Sequence, residues 1–258
     1  MDKIFCYSGT GNCFASAKQL AFELGMEVVH ITDELANSKL TFTGEVGILM
    51  YPVYAYGMPK TVKRFIMKNN FKFKYLAVLT SFGSSPGGAY AEAIKLFKKR
   101  KQRVSYADGT VAVENYVHMF KLPPEERIRE LTKIQTENTG ILAKNIKARK
   151  TNKRWLLRPE SVFVSFIFRS FTSTFAQRYK VTDACTGCKI CYKVCPSAAI
   201  QMIEKRGKQI PEFIPKKCDH CQACMQLCPS RAIAFGKIQP KSRRYRHSAV
   251  KVDELIKR

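Results

Sequence analysis

Eight cysteines fall into two runs of one pattern. The first reads Cys185-x-x-Cys188-x-x-Cys191-x-x-x-Cys195-Pro196 and the second Cys218-x-x-Cys221-x-x-Cys224-x-x-x-Cys228-Pro229. The copies lie 33 residues apart and share their exits, Cys-Pro-Ser-Ala-Ala-Ile against Cys-Pro-Ser-Arg-Ala-Ile, which makes the segment an internal repeat. Gaps of two residues let a tight loop wrap three thiolates around one iron–sulfur cubane, while the fourth cysteine of each run lies past a turn. Pro196 and Pro229 turn the chain away and carry no backbone N–H. Structural zinc normally uses two short pairs of Cys or His rather than evenly spaced quartets closed by proline. Disulfides suit a secreted chain better than one whose first residues, Met-Asp-Lys-Ile-Phe-Cys-Tyr, run straight into a strand with no leader pattern.

Residues 185–234 resemble a bacterial-type two-cluster ferredoxin, with the whole motif present. In that family the fourth cysteine of each run ligates the other cluster. The resemblance implies that Cys185, Cys188, Cys191 and Cys228 hold one 4Fe–4S cluster, and that Cys218, Cys221, Cys224 and Cys195 hold the second.

The remaining 150 or so residues need a core of their own, and their chemistry sits in three loops. Ser8-Gly9-Thr10-Gly11-Asn12 follows an apolar strand at 3–7 and precedes a helical pattern from Cys13 to Leu24. Small residues and hydroxyls between strand and helix let backbone N–H groups converge on a phosphate. The loop lacks the Lys of a P-loop and the third Gly of a dinucleotide fingerprint, which disfavours nucleoside triphosphates and NAD. A strand at 46–50 runs into Tyr51-Pro52-Val53-Tyr54-Ala55-Tyr56-Gly57, and a strand at 75–80 into Ser81-Phe82-Gly83 and on to Gly87-Gly88. Open α/β sheets bind ligands at such carboxyl ends, where aromatics stack on a ring and glycine-rich backbone approaches its edge. A phosphate loop with two such neighbours suits FMN.

On these loops the first 150 residues look like a flavodoxin. Its phosphate loop, Thr/Ser-x-Thr-Gly-x-Thr, is similar to residues 8–13, with Cys13 where the last Thr is usual. The resemblance implies FMN contacts from Ser8 to Cys13, from Pro52 to Gly57, and from Ser81, Phe82, Gly83, Gly87 and Gly88. The ring-stacking aromatic falls at Tyr54 or Tyr56, and a third-loop aromatic at Phe82 or Tyr90.

Further strands are expected at 28–31 and 111–113, and helices at 58–69, 88–103 and about 124–149, the last opening after Pro123-Pro124. Alternating strands and helices predict an α/β, flavodoxin-like, doubly wound parallel sheet over 1–150, followed by a small α+β ferredoxin domain over 181–236. Between them, residues 151–180 form a basic, apolar linker whose stretch 159–176 is helical. It is expected to be wedged between the domains beside Trp155, laid on an anionic membrane surface, or seated in a groove of a partner protein. Residues 237–258 form a basic tail with a short helix near 248–257.

The formal charge is +25 over 258 residues. Two clusters with their thiolates and one flavin phosphate would leave roughly +19. Such a surface favours acidic redox partners or anionic lipid. Nucleic-acid binding has no aromatic platform or known module behind it. Reduced cysteines and no apolar run near the roughly 20 residues of a spanning helix point to the cytoplasm. The architecture resembles the flavodoxin–ferredoxin fusion proteins of anaerobes. That resemblance implies electron transfer between two 4Fe–4S clusters and FMN, with reduction of a small substrate at the flavin as the alternative.

Overall fold

The computed structural model describes residues 1–152, 177–205, 207–236 and 242–256. The helix expected at 159–176, with Trp155 and most of the basic linker, lies outside the described residues.

The first lobe runs β1 (Lys3–Cys6), α1 (Asn12–Leu24), β2 (Glu27–His30), α2 (Asp33–Asn37), β3 (Thr41–Pro52), α3 (Lys60–Lys68), β4 (Asn70–Phe82), α4 (Ala89–Lys99), β5 (Tyr106–Val111) and α5 (Glu125–Lys147). Its five strands are all parallel in the order β2-β1-β3-β4-β5, the flavodoxin-like order. The central strands are near-continuous apolar runs because helices cover both faces. Phe5, Leu49 and Val78 pack against α3 and α4 on one side. Ile4, Ile48 and Leu79 pack against α1 and α5 on the other. The order reverses between β1 and β3, and the loops after them open at the carboxyl edge where a crevice forms.

Four elements depart from the sequence expectation. The last strand is Tyr106–Val111, not 111–113. Asp108-Gly109 reads as a turn, yet Gly109 is required inside the strand because a Cβ there would meet Thr80 O at 2.4 Å. The Asn152 side chain pairs both Ala107 N–H (3.0 Å) and Ala107 C=O (2.9 Å), standing in for a sixth strand on that edge. Strands β3 and β4 also begin five residues early, at Thr41 and Asn70, with alternating polar and apolar residues that a search for buried runs passes over. The short α2 went unpredicted, although the Thr32 side chain caps it by accepting from Leu35 N–H at 3.1 Å.

The second lobe is built from β6 (Tyr179–Val181), paired antiparallel with β9 (Ile233–Phe235), and a hairpin of β7 (Ile200–Lys205) and β8 (Lys208–Phe213). One-turn helices, Ile190–Lys193 and Ala223–Gln226, carry the third cysteine of each run. The repeat holds in the backbone. Gly187 and His220, Lys189 and Gln222, and Ala198 and Arg231 all occupy the left-handed region at equivalent places. In both halves the residue four after the last cysteine donates its N–H to that cysteine's sulfur at 3.3 Å.

The C-terminal segment returns to the first lobe. Val250 and Leu255 are fully buried and join the apolar cluster of α1 and α5, together with Ala223 and Leu227 of the second lobe. Among the described residues there, only Asp253–Leu255 is helical, as one 3-10 turn. Arg243 pairs with Glu125, and Lys18 with Glu254.

Candidate functional site

The crevice at the carboxyl edge of the sheet is a cavity of about 640 Å³. One wall is the first lobe: Ser8, Gly9, Thr10, Asn12 and Cys13 after β1, Pro52 to Tyr56 after β3, and Ser81 to Ser85 after β4. The opposite wall is the second lobe, with Cys218, Asp219, His220, Cys221 and Phe235.

The loop after β1 is tight because two segments pack closely on it. A Cβ at Gly9 would lie 2.7 Å from Cys221 O and 2.9 Å from Cys221 Cβ. Gly11, at φ +104°, lies under His247 and Val250 of the C-terminal segment. Only glycine gives both the backbone angle at 11 and the close approach at 9. Within the loop Ser8 Oγ accepts from Gly11 N–H at 3.2 Å, and Thr10 Oγ1 accepts from Asn115 Nδ2 at 2.7 Å. Helix α1 starts with no side-chain cap and no acidic residue in its first turn. Its positive end and two hydroxyls thus face the cavity, a donor set that fits a phosphate.

Not every expected contact is available to a ligand. Asn12 lines the cavity, but its amide donates to Val113 O (3.0 Å) and accepts from Tyr245 Oη (2.6 Å). Cys13 is buried beside Ser81 Oγ at 2.9 Å, linking the loops after β1 and β4. Burial pushes its thiol up to about 12, so it stays protonated. Gly11, Gly57, Gly87 and Gly88 do not line the cavity. They shape its neighbours: Tyr54 and Gly57 exchange backbone hydrogen bonds at 2.9 and 3.0 Å, and Gly88 N–H reaches Tyr56 O at 3.0 Å. Ala55 and Tyr56 between them both have positive φ, 48° and 60°. Such a two-residue turn normally takes Asn or Gly, so strain is held where aromatics are presented.

The two candidate stacking residues part company here. Tyr54 is the inner one, with its hydroxyl beside Gly9 and its ring edge-on to Tyr7 at 6.4 Å. Tyr56 is 42% exposed, and the exposed Met119 and Phe120 line the same cavity. Phe82 lines the cavity, whereas Tyr90 is a core residue whose hydroxyl accepts from Thr80 Oγ1 at 2.8 Å. Flat aromatic walls beside a phosphate-compatible loop suit a flavin.

The cysteines assemble across the repeat. Cys185, Cys188, Cys191 and Cys228 line one small cavity. Cys191 feels the charges of Cys228, Cys188 and Cys185, and burial pushes its thiol up to about 12. Cys195 lies among the other three: it acts electrostatically on Cys218, Cys221 and Cys224, whose thiols burial holds well up. Desolvated thiols of this kind are deprotonated when metal takes the proton's place. The donor set of each quartet fits a cluster.

Sequence reasoning missed the residues between the second pair of cysteines. Asp219 is 7% exposed, and its carboxylate accepts from Tyr7 Oη (2.8 Å), Lys60 N–H (3.0 Å) and Thr61 N–H (3.2 Å). It caps α3, whose own N-cap, Pro59, has no side chain to offer. Burial, and then Asp219 itself, keep Tyr7 protonated and therefore a donor. The signal was an asymmetry in the repeat: Thr186-Gly187 in the first half stands where Asp219-His220 stands in the second. His118 was also missed. It stacks on Phe235 at 3.5 Å, and burial lowers its pKa to about 3, leaving it neutral.

Residues 184–232 match the 4Fe-4S dicluster domain family. No curated protein matches the chain. Solved structures similar to it include the two-electron reduced Megasphaera elsdenii flavodoxin, at 19% identity over 43% of this chain and 85% of that one, with a TM-score of 0.33. A flavodoxin from the domain Archaea is 16% identical over 55% of this chain and 99% of that one, with a TM-score of 0.29. A flavodoxin, WrbA-like protein from Agrobacterium tumefaciens is 13% identical over 56% and 97%, with a TM-score of 0.31. The flavodoxin-like character of the first lobe rests on its own strand order and connections.

Proposed function

We propose that this chain, a flavodoxin-like domain fused to a 4Fe–4S dicluster domain, is an electron-transfer protein carrying two 4Fe–4S clusters and one FMN. The observation behind this reading is the shared cavity, with the Ser8–Cys13 loop on one wall and Cys218 and Cys221 on the other. Clusters exchange single electrons whereas FMN holds one or two, so the two together join one-electron to two-electron chemistry.

The chain's residues divide the work. Ser8, Thr10 and the uncapped start of α1 would hold the phosphate, and Tyr54 and Phe82 would flank the ring. Two members of the half-buried Cys218 quartet, Cys218 and Cys221, line the cavity, while Cys188 of the other quartet is exposed. The quartet with Cys188 therefore faces outside partners and the one on the cavity wall faces the flavin. Exposed Lys189 and Lys193 beside it, on a chain of formal charge +25, suit acidic redox proteins as those partners. Among the described residues no helix is long and apolar enough to cross a membrane.

Anaerobic purification with cofactor extraction tests this reading. About one FMN and eight irons per chain, titrating in linked steps by absorbance and EPR, are expected. Eight irons without flavin would overturn it and leave the first lobe a docking module. A second reading, reduction of a small substrate over the flavin, draws on the open rim at Tyr56, Met119 and Phe120 and on Lys60 and Arg178 beside the cavity. Flavin reoxidation by a small anionic acceptor, faster than by any acidic carrier protein, would favour it.

A further inference from the structure

The two halves of the cysteine repeat share a backbone, yet it is the second whose cysteine loop closes onto the loop after β1. Where they differ is the pair between the first two cysteines, Thr186-Gly187 against Asp219-His220. His220 adopts the left-handed angle of its counterpart Gly187, φ 57° against 73°, so the loop keeps its shape with an unfavourable residue in place. Asp219 directs its carboxylate out of the second lobe into the first. It takes three hydrogen bonds there, from two different elements: the end of β1 through Tyr7 and the start of α3 through Lys60 and Thr61. Those elements are the two whose loops form the phosphate wall and the aromatic wall.

A carboxylate at a helix N-terminus is favoured by the helix dipole as well as by the hydrogen bonds. Here that interaction crosses from one lobe to the other. Cys218 and Cys221 flank Asp219 in sequence, so whatever fixes its carboxylate also fixes those two sulfur ligands. Gly9, with no Cβ, then lets the Cys221 backbone close onto the loop after β1.

We infer that Asp219 is the positioning residue that latches the Cys218 quartet onto the Ser8–Cys13 loop, by capping α3 from the other lobe. His220 fills the same wall beside it. The quartet needs neither residue for its own sake, since Thr-Gly serves at the equivalent place in the first half. That Asp219 thereby sets electron passage to a flavin rests on the function proposed above, whereas the latch itself does not.

The decisive experiment compares the holoprotein with Asp219→Thr, alone and with His220→Gly, which converts this loop into its partner's. Iron content and EPR signals are expected to persist. Amide exchange at Lys60 and Thr61 should rise about tenfold or more, and exchange at Gly9 should rise with it, because the lobes part locally. Asp219→Asn, which keeps one acceptor oxygen, should fall between wild type and Asp219→Thr. Where flavin is bound, its reduction by electrons supplied through the clusters should slow about tenfold or more, with cluster reduction by dithionite unchanged.

Unchanged exchange at all three amides would overturn the latch. Faster exchange at Lys60 and Thr61 alone, with Gly9 and the flavin reduction rate unmoved, would make Asp219 a helix cap and nothing more. A flavin-free wild-type protein would defeat the proposed function, while the exchange at Gly9 would still decide the latch.

Discussion

The two cysteine quartets are built from one sequence pattern and one backbone, and they live in different surroundings. The Cys185 quartet has an exposed member in Cys188 and a hairpin, β7–β8, beside it. The Cys218 quartet has the loop after β1 packed directly on Cys221. Duplication supplies two equal sites. What makes one external and one internal is a handful of residues outside the ligand set: Asp219, Gly9, and a C-terminal segment that ties Gln226 to the first lobe. Gln226 donates to Asn115 O at 3.0 Å and accepts from Tyr245 N–H at 2.8 Å. Function in such a molecule is a property of the docking, because the ligands alone are symmetric.

Exchanging the fourth cysteines should break the comparison most completely. Cys195 sits in the first run but belongs to the quartet on the cavity wall, and Cys228 does the reverse. Cys195→Ala is expected to remove the inner cluster and lower flavin reduction through the clusters by about a hundredfold or more, since an electron must then cross a much wider gap. Cys228→Ala should instead remove the outer cluster and leave the inner EPR signal intact. If each variant loses the cluster of its own run, the crossing is wrong.

Gly9→Ala comes next. The new methyl would overlap the Cys221 backbone rather than a movable side-chain tip. Overpacking of that kind costs about 1–3 kcal/mol. Flavin affinity should drop by roughly the corresponding tenfold or more, while the Cys185 quartet, remote from the contact, keeps its spectrum. Equal damage to both clusters would show that the lobes fold as one unit, and that the contrast between them is not local.

The C-terminal segment offers a pH test of the docked side. His247 is 3% exposed over Gly11, its backbone N–H donates to Thr10 O at 3.0 Å, its ring Nδ1 accepts from Ala249 N–H at 3.2 Å, and burial, then Lys18 and Arg246, lower its pKa to about 4. The imidazole is neutral when docked and titrates near 6.5 when released. The released state binds the proton first, so docking is fully stable above about pH 6.5 and weakens as pH falls towards 4. The loss is at most roughly 3 kcal/mol. Protection factors at His247 and Val250, the amide exchange rates corrected for the intrinsic rate at each pH, should fall across that window in the wild type, and His247→Gln should flatten the dependence. A wild-type protein whose exchange shows no such step would mean the segment is not held through His247.

How much of this was legible beforehand follows from the range of each interaction. The quartets and the Ser8–Cys13 loop declare themselves locally, because thiolate spacing and glycine placement are chemical requirements written within a dozen residues. Tyr54 and Tyr56 were legible as a pair but not as inner wall and rim, which depends on where Gly87 and Gly88 seat the turn. Strand β5 was displaced because Asp108-Gly109 carries a turn signal that the edge pairing with Asn152 overrides. Asp219 and the docked C-terminal segment were not legible as contacts at all. Tyr7 and Asp219 are 212 residues apart, and Asn12 and Tyr245 are 233 apart. What the sequence did hold was the mismatch between Thr186-Gly187 and Asp219-His220, visible once the repeat is aligned on itself.

The smallest effect belongs to the outer quartet and tests whether exposure there means contact. Lys189 and Lys193 are exposed on the run that carries Cys188, and no ion pair involving either is seen among the described residues. Replacing both by Glu reverses local charge without touching a ligand. If acidic carriers deliver electrons at this face, their association rate should fall about two- to fivefold at low salt. The difference should fade as ionic strength shortens the screening length to roughly 8 Å near 0.15 M. The same reversal at Lys98 and Lys99, at the end of α4 and outside the cysteine lobe, should do less. Equal slowing by both pairs would mean that partners feel only the total charge of the chain, and the outer quartet would then be exposed without being the place where they meet it.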